Sequence, residues 1–361
     1  MIHVFIGTKA QYIKTAPVLK ELDRRGLPYR LIDSGQHADL TRSLRQELGL
    51  REPDVSLHTG SDIRTIPAAM AWAVRLALQL LSRKTVAGEV FGGMGGICVI
   101  HGDTPSTLIA ALLAKRAGIR VAHLEAGLAS GRWHHPFPEE LIRRMVHRMS
   151  SVLFAPNEDA ARHLETLGIK GAVVRLPANT GAESLSWVLP DTEPGAGLPL
   201  VTTHRVENLH LERRRRGLVE VIKRIAREQP VRVVLHGPTE QVFEKTGLLA
   251  ELQSLQDVVL EPLVPHKEFV GWLWEAPFVI TDGGSIQEEC AAIGVPTLLW
   301  RERTERPDGL GSNVIVSHYR EEEVASFLRD PSRFRTEPGV TKARPSEVVV
   351  NVLLDLLESV S

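Results

Sequence analysis

Short, almost wholly apolar runs that close on Gly, Asp, Asn or Pro alternate with stretches of helical periodicity along the whole chain, and this alternation restricts the fold more than any other feature. The first half reads IHVFIG, a helix from Lys14 to Arg25, YRLID, a helix near Leu40 to Leu50, ICVIHGD, a helix near Ser106 to Ala117, then RVAHLEA, SVLFAPN and AVVRLPAN. That is a doubly wound α/β pattern with parallel strands. Residues 190–199, PDTEPGAGLP, lose the periodicity and have the Pro/Gly-rich character of a connection. A second alternation follows, with strands in LPLVTT, VRVVLHG, VVLEP, FVITDGG and PTLLW. The expectation is two Rossmann-like domains, residues 1–190 and 198–344, with residues 345–361 forming an amphipathic helix that crosses back to the first. Ligands of such sheets bind beyond the C-terminal strand ends, so the substrate is expected in a cleft between the domains.

With 361 residues the chain suits two cores rather than one. A formal net charge of -1 gives no basic field for nucleic acid or an anionic membrane, so an anionic ligand must be met by local groups. Cys98 and Cys290 lie in apolar surroundings far apart in sequence, as reduced core thiols of a cytoplasmic protein would. MIHVFIG reads as a first strand rather than a signal peptide. The apolar run Ile66 to Leu81 contains Arg75, is too short for membrane insertion, and is expected to pack on another helix or on a second subunit of a homodimer.

Polar clusters fall where strands end. In FVITDGGSIQEE, the four strand residues FVIT lead into Asp282-Gly283-Gly284-Ser285 and a helix expected to begin at Ile286. Glycines and a helix N-terminus make a phosphate cradle. Glu288 and Glu289 are expected in the first turn, Glu288 equally as a dipole complement, Glu289 as acceptor for ribose hydroxyls. His204 and Arg205 after LVTT, with Arg306, supply cations for a diphosphate leaving group. In the first half, Lys9 and Lys14 follow the first strand, although Lys14 equally reads as a helix-surface residue. Asp103 and Thr104 follow ICVIHG and by default cap a helix. Glu125 follows HL, and Glu139 and Arg143 share a helix face, by default as a salt-bridged pair. Converging carboxylates of this kind can supply one proton donor and one base, as exchange of a carbon-bound proton requires. No metal-ligand spacing, GxGxxG or P-loop is present.

Taken in order, GTKAQYIKTAP, GQH, HGDT, HLEAGL, PFPEE through Arg143, THR with Glu207, DGGSIQEE and TERPDG resemble the UDP-N-acetylglucosamine 2-epimerases over nearly the whole chain. The resemblance implies the GT-B fold shared with many glycosyltransferases. It implies UDP held mainly by the second domain through Gly284, Ser285, Glu289, His204 and Arg306, with Lys14 reaching in from the first, and the sugar surrounded by Asp103, Glu125 and Glu139. It also implies elimination of UDP to a 2-acetamidoglucal and reprotonation on the other face, without a cofactor. A hydrolysing relative that releases N-acetylmannosamine, and a glycosyltransferase on the same scaffold, are the alternatives. The chain departs from the family pattern at Lys9, Ala10 and Gln11, where Arg-Pro-Glu is usual. It departs again at Ser285, moved two positions within the cradle, at Ala129, and at Leu235 to Thr239 in place of a stretch associated with an allosteric UDP-sugar. That regulation is therefore not expected, and the departures leave room for a modified sugar.

Overall fold

The computed structural model describes residues 1–35, 38–58, 82–128, 139–304, 306–339 and 343–358. The run Ile66 to Leu81, residues 129–138 and most of GQH lie outside them. Contacts divide the chain into two units, residues 1–184 with 341–361, and residues 185–340.

The first unit holds a seven-stranded sheet in the order β3-β2-β1-β4-β5-β6-β7. Its strands are β1 (Ile2–Ile6), β2 (Tyr29–Asp33), β3 (Val55–Ser56), β4 (Ile97–His101), β5 (Arg120–Leu124), β6 (Val152–Ala155) and β7 (Ala172–Arg175). Every pairing is parallel. Every residue of β1 and β4 is buried, because helices cover both faces of the sheet. The first helix spans Lys9–Arg24 and so begins five residues before the expected Lys14. Thr8 caps it, its hydroxyl accepting from the Gln11 N–H, which places Lys9 in the first turn. The helix Pro105–Ala117 is capped by Thr104, has proline at its start, and closes on Gly118 at φ 81°. With Thr104 as cap, the Asp103 carboxylate is left for other work.

The terminal helix Pro345–Glu358 belongs to this unit, with Val349, Val350 and Leu353 in the same core as Tyr12, Leu19 and Leu22 of the first helix. Three buried aliphatic side chains contribute roughly 5–8 kcal/mol before chain entropy is charged against them. Its first turn is tied down by Glu183, whose carboxylate accepts from Ser346 N (3.0 Å) and Ser346 Oγ (2.7 Å).

The second unit holds a six-stranded, wholly parallel sheet in the order β10-β9-β8-β11-β12-β13. Its strands are β8 (Leu200–Thr203), β9 (Val231–Leu235), β10 (Val258–Pro262), β11 (Val279–Thr281), β12 (Thr297–Leu299) and β13 (Val314–Val316). Both sheets therefore reverse strand order beside their first strand, β1 against β4 and β8 against β11. Doubly wound folds take ligands at that reversal. Residues 190–199, read from sequence as a free connection, group with the second unit. Gly195 N and Gly197 N donate to Trp274 O and Glu275 O, and Trp274 Nε1 donates to Thr192 O, so the segment packs along the end of the helix His266–Glu275.

Among the described residues no helix is long and apolar enough to cross a membrane. No group of three His, Cys, Asp or Glu among them is placed to hold a metal ion.

Candidate active site

In the first unit the polar groups gather where β1, β4 and β5 end. Gln11, nearly fully buried, spans the reversal point. Its Oε1 accepts from Gly7 N at 2.7 Å, and its Nε2 donates to His101 O (2.6 Å), Thr104 Oγ1 (3.0 Å) and Thr107 Oγ1 (2.9 Å). A glutamate could not make the bond to the His101 carbonyl without a proton, so the amide suits the departure from the family pattern noted above.

Glu125 sits one residue past β5 at φ 59°, in the left-handed region that non-glycine residues rarely adopt and that collects at functional sites. Its Oε1 accepts from Lys14 Nζ at 2.5 Å and Asn179 Nδ2 at 3.3 Å, while its Oε2 lies 3.4 Å from His101 Nδ1. Lys14 is thus a buried partner of Glu125 rather than a helix-surface residue. Asp103 pairs with Arg143, and Arg143 donates through its other terminal nitrogen to Glu140 Oε2 at 2.7 Å. The sequence expectation that Glu139 pairs with Arg143 is therefore corrected: the i,i+3 carboxylate of Glu140 takes the guanidinium. Glu139 Oε2 is buried with no hydrogen-bond partner among the described residues. Asp103 and Glu125 are each met by their own cation. Lys9 is half-buried in the first turn of its helix.

Two neutral histidines support this cluster from behind. His123 Nε2 donates to Gly102 O at 2.7 Å, while His147 Nε2 accepts from Gly127 N at 3.1 Å, which only an unprotonated nitrogen can do. Burial holds the His123 pKa down to about 4 and that of His147 to about 2.

In the second unit Asp282, fully buried just past β11, organises the neighbouring strand end. It accepts from Thr203 Oγ1, His204 N (3.0 Å to Oδ1), Arg205 N (3.0 Å to Oδ2) and Asn208 Nδ2 (2.9 Å). The His204 ring lies with Nδ1 3.3 Å from Asp282 Oδ1 and packs against His236, tilted by 30° with centroids 4.8 Å apart. Arg205 NH1 donates to Glu207 at 3.0 Å.

The helix after the glycines spans Gly284–Ile293 with Gly283 as its cap and no side chain bonded there. It starts two residues before the expected Ile286. Gly284 and Ser285 therefore lie in the first turn with their backbone N–H groups, whereas Glu288 and Glu289 fall in the second, and the dipole role weighed for Glu288 is withdrawn. The reason is that glycine itself caps a helix well, so no later polar cap was needed. A side chain at Gly284 would put Cβ 2.8 Å from Arg306 Nε, so only glycine lets that guanidinium lie over the helix start. Arg306 also contacts Glu288. Its loop is pinned by the buried Gln287, whose Nε2 donates to Arg306 O and Asp308 O, both at 3.0 Å, and whose Oε1 accepts from Thr304 Oγ1 at 2.7 Å. Glu289 Oε1 lies 3.1 Å from His266 Nε2. Helix-start N–H groups with His204 and Arg306 beside them, and a carboxylate in the second turn, form a set suited to a nucleoside diphosphate.

The family model of UDP-N-acetylglucosamine 2-epimerase matches residues 20–333. The chain belongs to that family. It is therefore a sugar-nucleotide 2-epimerase by class, an isomerase. Among 2-epimerase relatives, the UDP-N-acetylglucosamine 2-epimerase of Methanocaldococcus jannaschii is 28% identical over 343 residues, 90% of each chain. The UDP-2,3-diacetamido-2,3-dideoxy-D-glucuronate 2-epimerase of Pseudomonas aeruginosa is 30% identical over 342 residues, again 90% of each. The crystal structure of the M. jannaschii 2-epimerase in complex with UDP-GlcNAc and UDP superposes with a TM-score of 0.81 at 25% identity, covering 98% of this chain and 99% of that one. A UDP-glucosyltransferase from Polygonum tinctorium, 13% identical with a TM-score of 0.58 over 98% of each chain, shares the fold alone.

Several groups in this 2-epimerase escaped the sequence reading. Asp282 reads in the sequence as part of the cradle, yet it bonds to the neighbouring strand end and not toward the glycines. Gln287 and Asn179 carry no signal in the sequence beyond the runs FVITDGGSIQEE and AVVRLPAN that contain them. In each case the partner lies far along the chain, out of reach of local pattern.

Proposed function

We propose that the protein interconverts UDP-N-acetylglucosamine and UDP-N-acetylmannosamine by eliminating UDP across C1 and C2 and adding it back after C2 is reprotonated on the other face. In this reading the backbone N–H groups of Gly284 and Ser285, together with Gly283, His204, Arg205 and Arg306, meet the diphosphate, and Glu289 accepts the ribose hydroxyls. Lys9 and Lys14 add positive charge. A carboxylate takes the C2 proton as the C1–O bond to UDP breaks, and a second returns a proton; Asp103, Glu125 and Glu139 divide these roles, with Arg143 orienting Asp103. No step calls for an electron carrier or a metal.

The observation that supports this most is Glu125, a carboxylate in a strained backbone conformation, fixed by an ammonium, an amide and a histidine at the end of β5. The relative that acts on a UDP-2,3-diacetamido-glucuronate gives a second reading of the sugar, one bearing an acetamido group at C3 and a carboxylate at C6.

The test is proton NMR of the protein with UDP-N-acetylglucosamine in D2O. Deuterium at C2 with UDP-N-acetylmannosamine formed supports the proposal, and free N-acetylmannosamine with UDP identifies hydrolysis instead. Glu125→Gln should slow C2 exchange by about a hundredfold or more, the scale of general acid–base catalysis. Exchange at the parent rate in that variant would remove Glu125 from the mechanism. Absence of exchange with this sugar, but exchange with the diacetamido-glucuronate, would establish the second reading.

A further inference from the structure

The second unit contains a cavity of about 700 Å³, and none of the residues lining it belongs to the nucleotide cluster. One wall is a stripe of the helix Glu212–Ala226 on which Arg213, Gly217, Glu220 and Arg224 recur at spacings of three and four, continued by Arg227. Residues 318–321 form the opposite wall, and Trp300 lies between.

Three features distinguish this cavity from an ordinary solvated helix face. Five arginines line it against two glutamates, in a chain of net charge -1. Both glutamates are already engaged, Glu220 with Lys223 and Glu321 with Arg224, while Arg213, Arg227 and Arg320 have no ion-pair partner among the described residues. Gly217 stands in mid-helix, an unfavourable place for glycine, and a Cβ there would reach within 3.3 Å of the Trp300 ring, so its absence keeps the cavity open. His318 and Tyr319 are consecutive non-glycine residues in the left-handed region, at φ 48° and 56°, a strained wall of the kind that collects at ligand sites.

The wall is also wired to the strand ends. The Arg214 guanidinium lies over the Tyr319 ring at 4.2 Å. Tyr319 OH donates to Asn208 Oδ1 at 2.8 Å, and Asn208 Nδ2 donates to Asp282 Oδ2 at 2.9 Å. Asp282 in turn fixes the backbone of His204 and Arg205.

We propose that this cavity binds a small polyanion of the phosphate class, and that its occupancy is transmitted through Tyr319 and Asn208 to Asp282. Guanidinium forks suit phosphate oxygens, and several converging arginines select for more than one phosphate group. The transmission, though not the binding, rests on the reading that the Asp282 loop meets the nucleotide. A polyanion that pulls Arg214 off the Tyr319 ring changes the hold on Asn208, and by linkage the affinity for UDP changes with it.

Isothermal titration calorimetry of the full chain with inorganic tripolyphosphate, in the presence of saturating UDP, tests the site. The expected result is a binding event that survives UDP saturation and weakens about tenfold or more in Arg227→Gln/Arg320→Gln, two exposed positions whose change leaves the fold intact. Tripolyphosphate should shift the UDP Kd by about threefold or more, and Tyr319→Phe, which keeps the ring under Arg214 but lacks the hydroxyl, should abolish the shift while leaving tripolyphosphate bound. ATP titrated in parallel separates the sources: tighter binding than tripolyphosphate assigns the cavity to nucleotides, equal binding to the phosphate chain. No heat under UDP saturation, or binding that the double variant leaves untouched, overturns the site. A UDP Kd indifferent to tripolyphosphate overturns the transmission. If UDP itself does not bind, the proposed function fails while the titration still reads the cavity.

Discussion

Replacing Asp282 with asparagine is the sharpest test of how the proposed diphosphate-binding cluster of the second unit is built. The substitution preserves shape but turns one acceptor oxygen into a donor inside a fully buried cluster. Oδ2 receives Thr203 Oγ1, Arg205 N and Asn208 Nδ2, whereas Oδ1 receives His204 N at 3.0 Å. The less costly orientation puts the new NH2 at the Oδ1 position, facing the His204 N–H, which then keeps only its longer 3.2 Å contact to the crowded oxygen. The remaining bonds also lose their charge assistance, partly offset if His204 Nδ1 accepts from the amide. Losing one bond to a charged acceptor and weakening three amounts to about 2–3 kcal/mol. For a unit the size of residues 185–340, that lowers Tm by roughly 4–12 °C. Differential scanning calorimetry with and without UDP reads both consequences, because UDP raises the transition in proportion to its affinity. The Asn variant should melt lower and bind UDP about tenfold more weakly, since the backbone of His204 is held only by its longer contact and that of Arg205 by a weaker bond. A variant that melts within a degree of the parent and binds UDP equally well would refute the claim that Asp282 organises the site.

Three further outcomes follow from the structure. His3, His123 and His147 are all held below their usual pKa by burial, to about 4, 4 and 2, so protonation below pH 6.5 favours the unfolded chain. Stability of the first unit should be complete above pH 6.5 and fall as pH drops, by roughly 1 kcal/mol per histidine between pH 7.5 and 5.5, read as the urea midpoint; a flat profile would contradict neutral burial. Gln287→Ala frees the loop that carries Arg306 and should weaken UDP binding about tenfold while leaving the first unit's melting transition in place; an unchanged UDP Kd would show that Arg306 is held by other contacts. Cys98 and Cys290 are both buried free thiols, Cys290 pushed up to about 12 and Cys98 higher still, so a disulfide reagent should label neither in the native protein and both in urea.

The architecture was readable because a parallel strand covered on both faces has to be apolar throughout, and runs such as ICVIH and LVTT announce themselves. The two-residue β3 and the strand Val314–Val316 escaped because neither run is long enough to stand out from loop composition. Helix starts were placed too late, by five residues at Lys9, which Thr8 caps, and by two at Gly284, which Gly283 caps, and the second shift put Glu288 and Glu289 in the wrong turn. The acids of the first unit were visible as residues at strand ends, but not their partners. The choice of Glu140 over Glu139 for Arg143, and of Glu125 for Lys14, depends on side-chain directions across separate elements. Residues 190–199 have the composition of a linker and the hydrogen bonds of a packed segment, a distinction that composition does not carry.

The last helix, Pro345–Glu358, completes the core that begins with β1, which makes the first unit a discontinuous stretch of chain and the second a continuous one inserted within it. During synthesis this reverses the usual order of maturation, in which the N-terminal domain is finished first. The inserted unit has all its strands available before the closing helix is made, so the earlier residues must wait, with the surface around Tyr12, Leu19 and Leu22 uncovered, until Pro345–Glu358 follows. A nascent chain arrested before Pro345 should therefore display a protease-resistant second unit and a first unit still open to cleavage.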